Sequence, residues 1–197
     1  MSTNRLGMAT DFMPITGGFP FIPLLIHACP SCGYAGGQGD FGDEQEVSGE
    51  IKARVFQELK PSLTGKRVSP PRAYQHAALL LEWRGAPALA VADRYLKAAW
   101  CCRIRCINDT DHDEEYFLRQ ALEGFERALT TDVVLDENAA KITYLVGELH
   151  RRVGEKDIAA KWFDRVAPLV GDNAELNWLT AAAQRQQTDP QEQFGRK

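Results

Sequence analysis

Tyr144-Leu145-Val146-Gly147-Glu148-Leu149-His150-Arg151-Arg152-Val153-Gly154-Glu155-Lys156-Asp157-Ile158-Ala159-Ala160-Lys161-Trp162-Phe163-Asp164-Arg165-Val166 is the stretch from which the fold is read. Two helical patterns flank Gly154, a residue suited to ending the first helix. The first carries a glycine at 147. The second carries Ala159 and, one turn later on the same face, Phe163. A small residue on each helix of a hairpin lets the backbones approach, and an aromatic four residues on fills the gap to the next hairpin. Gly147 and Ala159 are the expected small pair, with Phe163 the filler.

The pattern recurs. Ala159-x3-Phe163-x2-Val166 is preceded by Ala121-x3-Phe125-x2-Ala128, and a weaker version is Tyr95-x3-Ala99-x2-Cys102. Val146-Gly147-x2-His150-x3-Gly154 occupies the places where a tetratricopeptide repeat (TPR) has Leu-Gly-x2-Tyr-x3-Gly. The expected fold is mainly α: TPR-like antiparallel helical hairpins, an α-solenoid, behind a short N-terminal extended segment. A generic helical bundle is the alternative, and it is all-α as well. Apolar periodicity and punctuation place helices at 44–59, 70–84, 87–107, 113–131, 137–153 and 155–169. A last helix to 187 is expected to be capped by Asp172 with Glu175. Three divisions follow: 1–43, extended with a knuckle; 44–187, helical; and 188–197, a flexible polar tail.

Ahead of the helices lies Cys29-Pro30-Ser31-Cys32-Gly33-Tyr34, half of a zinc-knuckle signature. Two thiolates at this spacing hold one metal ion, and amides after the second cysteine donate to the sulfurs. Pro30 stiffens the turn, and Gly33 takes the left-handed conformation that exposes those amides. A redox pair would be expected to open a helix, whereas glycines follow here. Zinc is the cofactor expected at Cys29 and Cys32. Tetrahedral zinc needs four ligands, and the chain has no second Cys-x2-Cys; His27 is near but forms an awkward chelate with Cys29.

With 197 residues and a net charge of −4, the chain suits one ordinary domain and carries no general attraction to nucleic acid or anionic lipid. Five cysteines, an odd and irregular set, point to a reducing compartment. The longest apolar run, Phe19 to Ile26, is broken by Pro20 and Pro23 and is too short to cross a bilayer. No signal peptide is legible at the start, so the expected location is cytoplasmic.

Other clusters read more plainly. Cys101, Cys102 and Cys106 fit core packing beside Trp100 and Ile104. The Asp109–Glu115 run lacks the spacing of a calcium loop and suits the start of a helix. His76 reads as a helix-surface or core-edge residue, and His150 as a packing residue at a usually aromatic position. Arg103, Arg105, Arg151 and Arg152 would line the inner side of a solenoid; Arg103 and Arg151 are the candidate partner-binding residues, for an acidic peptide. Metalloprotease, serine-hydrolase, phosphate-loop and dinucleotide motifs are lacking.

Several of these pieces together resemble a known family. Thr10-Asp11-Phe12, Cys29 to Ala35, Asp40-Phe41, Tyr95 to Trp100, Tyr144 to Arg152 and Ala160 to Val166 are similar to an uncharacterised bacterial family, a domain of unknown function. That family joins a zinc-ribbon-like start to TPR-like helices, and the resemblance covers most of residues 8–170. It implies another Cys-x2-Cys ahead of the Asp-Phe element, completing four zinc ligands. Met1 stands after that place, so either the start is truncated or half the site is lost. The expected function is a non-enzymatic protein–protein interaction or scaffold module that binds a protein or peptide. The alternative is a zinc-dependent regulatory or nucleic-acid-binding protein, disfavoured by Asp40, Asp43, Glu44 and Glu46 beside the knuckle. An enzyme ranks third.

Overall fold

Among the described residues the named strands all lie within the first forty positions, where proline and glycine are dense, and the named elements beyond Ser48 are helical. The computed structural model describes residues 4–42, 46–63, 67–104, 114–132, 134 and 136–195. Within them the chain is mainly α, as expected, with two short antiparallel hairpins near the N-terminus and no closed sheet. Contacts divide it into two compact units: Pro20–Ala121, and Met1–Phe19 with Leu122–Lys197.

The unit 20–121 begins with a single 3-10 turn, Ile22–Leu24, and a hairpin of β1 (His27–Ala28) with β2 (Ala35–Gly36). Helix α1 (Gly49–Arg54) is capped by Ser48, whose hydroxyl accepts from the Ile51 amide at 3.3 Å. It is shorter than the expected 44–59, of which Glu44 and Gln45 lie outside the described residues. The backbone then widens into one π turn, Val55–Leu59, closed by the Lys60 amide on the Val55 carbonyl, ahead of Pro61. Helices α2 (Pro70–Trp83) and α3 (Ala88–Ile104) form the main hairpin of this unit. Ala77, Ala78, Ala92, Ala98 and Ala99 are buried in it, and side chains that small let two helix axes approach. Helix α4 (Glu114–Thr131) begins in this unit, buries Ala121, Phe125 and Ala128, and ends in the other.

The second unit combines a hairpin of β3 (Asn4–Met8) and β4 (Pro14–Gly17) with helices α5 (Asp136–Arg152), α6 (Lys156–Asp164), α7 (Val166–Val170) and α8 (Asn177–Thr188). The hairpin of α5 and α6 has the expected close contact. A Cβ placed on Gly147 would meet the Phe163 ring at 2.8 Å, and Ala159 is buried beside it. Phe163 packs with Tyr144, Val166, Val170 and Leu179 in one core. The expected helix 155–169 is interrupted at Arg165, because Pro168 has no N–H for the Asp164 carbonyl and its ring crowds that carbonyl. Asn173, not Asp172, caps the next turn, accepting from the Glu175 amide at 3.1 Å.

After Thr188 the chain returns to the β3 end: the Thr10 amide donates to Glu192 O at 3.1 Å and the Phe194 amide to Met8 O at 3.0 Å. The Phe194 ring stacks on Phe12 at 5.9 Å. An aromatic side chain with apolar surface to bury, together with two free main-chain edges, holds residues 189–195 in place.

Candidate functional site: a seated cysteine knuckle

The knuckle is the turn of the β1–β2 hairpin. The Cys29 amide donates to Tyr34 O and the Gly33 amide to Cys29 O, both at 2.8 Å. Gly33 has φ +83°, as the spacing predicted, and it could carry no side chain: a Cβ would lie 2.9 Å from Leu59 Cβ and 3.2 Å from His76 Nδ1. The amides of Ser31 and Cys32 face the Cys29 sulfur and hold that thiol below its ordinary value, against the effect of burial. Burial pushes the Cys32 thiol up, opposed by the Tyr34 amide and by the Lys60 ammonium. Both thiols are free and half-buried. The Ser31 and Cys32 amides near the Cys29 sulfur, and the Tyr34 amide near that of Cys32, favour thiolates, which is what two positions around a zinc ion would require. Among the described residues no group of three His, Cys, Asp or Glu gathers to hold a metal ion. His27 is exposed on β1.

Side chains of α2 and of its C-cap hold this turn and the chain leading into it. His76, fully buried rather than at the helix surface, donates from Nδ1 to Gly33 O at 2.9 Å. Tyr74 donates to Ile22 O at 2.8 Å, and Arg84 donates to the Tyr34 hydroxyl at 2.7 Å. Burial lowers the pKa of His76, so the ring is held neutral with its proton on Nδ1. Sequence reasoning missed His76 as a support for the knuckle, since nothing within a few residues of it signals a contact to position 33.

A second polar constellation lies in the other unit. The turn between β3 and β4 places Phe12 at φ 68°, a left-handed conformation costing a bulky residue about 1–3 kcal/mol. This strain is offset by what the turn touches. Thr10 donates to the fully buried Glu148 at 2.7 Å, and Phe12 packs on Tyr144 at 5.5 Å. Arg151 grips Glu148 with a fork, Nε to Oε2 and Nη2 to Oε1, both at 2.8 Å. Arg152 lies 2.7 Å from Glu148 Oε1 and 3.7 Å from the buried Asp11, and both arginines reach Glu192 at 2.9 Å. Glu148 holds Arg151 protonated above its already high value.

The expected partner-binding arginines are therefore engaged internally. Arg151 is in this cluster, and Arg103 in the other unit donates to Glu114 at 2.6 Å. His150 is buried between Glu155 (2.7 Å) and Glu126 (3.1 Å) and stacks on Trp162, more polar than the packing role expected of it. Cys101 is buried and Cys102 half-buried, beside Trp100. Cys106, Arg105 and the Asp109–Asp113 turn lie outside the described residues.

Residues 10–189 match the bacterial family described as "Uncharacterized protein conserved in bacteria (DUF2225)". The chain belongs to that family. The match begins at Thr10, the first residue of the strained turn, and takes in the knuckle and all of α1 to α8. No curated protein and no solved structure matches the chain. Among the described residues no helix is long and apolar enough to cross a membrane.

Proposed function

We propose that this DUF2225 protein is a non-enzymatic interaction module, TPR-like in its helical hairpins, whose Cys29–Cys32 knuckle is half of a zinc site completed by the partner. The observation that carries this reading is the knuckle itself: amides near two half-buried thiols, on a turn that His76 ties to α2, with no group of three metal-ligating side chains among the described residues. The chain leading into it supports a docking role, because Leu24 and Leu25 are each 47 % exposed and Phe21 is exposed beside them. The contact of Gly147 with Phe163 supports the TPR-like description. Because Arg103 and Arg151 are already paired with carboxylates, we give the partner the knuckle and its apolar collar rather than those arginines. The protein or peptide bound there brings further soft ligands.

In a purified preparation the available donor of two more thiolates is a second copy of the chain. Titration with zinc is expected to draw two chains onto one ion, read as a mass doubling by light scattering and as a zinc-to-protein ratio of about one half from the four-thiolate requirement. Cys32→Ala abolishes both. A wild-type chain that retains no zinc, or a Cys32→Ala chain that retains as much, would overturn the reading.

A further inference from the structure

In the unit formed by residues 4–19 and 122–195, a cavity of about 290 Å³ lies beside α8. It is near the lower end of the range for small-molecule sites, ~300 Å³ and upward. Tyr144, Trp178, Ala182, Arg185 and Phe194 are among its lining residues. Trp178 and Phe194 meet edge to face, with ring centroids 5.6 Å apart and planes at 88°. They make a corner in which a flat ring stacks on one wall and presents its edge to the other. Trp178 keeps 42 % of its surface exposed, a large aromatic area left open on one side.

Two polar groups give the corner a sign. Trp178, Ala182 and Arg185 recur at helical spacing along one face of α8. The Arg185 guanidinium is exposed and forms no ion pair with any described residue, whereas Arg103, Arg119, Arg151 and Arg152 all have carboxylate partners. Tyr144 is fully buried, and its hydroxyl has no hydrogen bond of good geometry, with the Gln186 amide the polar side chain nearest to it. Gln186, its polar neighbour, is occupied on both sides of its amide by Gln191. Burial first, and the Glu148 charge second, keep the phenol protonated and hence a donor.

We propose that this cavity binds a small planar aromatic anion, its ring in the Trp178–Phe194 corner and its carboxylate on Arg185. A guanidinium presents a planar fork to a carboxylate and so fixes the orientation of a flat ligand. An oxygen at the floor of the cavity supplies Tyr144 with an acceptor. Neither the knuckle nor its metal takes part.

The test is titration of the full chain with benzoate and with benzamide, its neutral isostere, followed through the indole resonances. Benzoate is expected to saturate and to bind about tenfold more tightly than benzamide, the worth of one charge-assisted contact. Arg185→Gln removes that preference while leaving benzamide binding in place. Ala181→Phe, at an exposed lining position, fills the cavity and abolishes binding of both, with circular dichroism confirming an intact helical fold. The proposal is overturned if benzoate does not saturate, if benzamide binds equally well, or if the preference survives in Arg185→Gln. Unchanged benzoate binding in folded Ala181→Phe overturns it as well.

Discussion

At the scale of single residues, the knuckle depends on His76, a side chain it meets 43 positions along the chain. Burial lowers the pKa of this histidine, and the bond to Gly33 opposes that shift only in part. Above the unfolded histidine value, near 6.5, the ring is neutral in both states and its contribution to stability is complete. Below it the unfolded chain takes up a proton that the folded chain resists, so stability falls with pH. The slope is about 1.4 kcal/mol per pH unit until the lowered folded pKa is reached. Urea unfolding of the wild type between pH 7.5 and 5.5 is expected to show that loss, and His76→Gln a shallower one. Equal slopes would dismiss the role given to His76. Cys29, Cys32 and Gly33 could be read from sequence because the chemistry of the turn lies within six consecutive residues. The residues supporting it from α2 could not.

At the scale of elements, the small-residue logic of the α5–α6 hairpin is a packing statement with a direct test. Gly147→Ala puts a methyl 2.8 Å from the Phe163 ring, an overpacking expected to cost ~1–3 kcal/mol. Phe163→Leu removes part of the obstruction. The double variant should therefore be more stable than the sum of the two single losses allows, by thermal or urea unfolding. Simple additivity would show that the two positions do not share that space. Helix boundaries were legible where glycine or proline stands at a helix end, as at Pro70 and Gly154, where the backbone has φ +87°. They slipped where two local signals compete. Asn173 takes the cap expected of Asp172, and Pro168 divides one expected helix into α6 and α7. The π turn at Val55–Leu59 has no periodic signature, since its buried Val55 and Leu59 also suit an ordinary helix.

At the scale of the whole molecule, residues 8–12 and 192–194 meet within one unit. Residues 189–195 add the exposed Glu192 to the edge of the ionic cluster and the Phe194 ring to the aromatic core. A chain ending at Asp189 loses two main-chain hydrogen bonds, both Glu192 ion pairs and the Phe194 ring. That loss, most of it from unburying the Phe194 ring, is expected to cost roughly 3 kcal/mol, visible as a lower urea midpoint. An unchanged midpoint would return these residues to the role of a loose tail.

The helical class and the cysteine turn were settled by residues within one or two turns of each other, and the close hairpin by two helices joined at Gly154, because period, capping and turn geometry act over short stretches of chain. The arginines show the other case. Their sequence allowed an open basic face, and the fold turned Arg151 inward onto a carboxylate that Thr10 also holds from 138 positions away. Which charges pair depends on which are brought together out of water, where an unpaired charge is costly, and only the tertiary structure determines that.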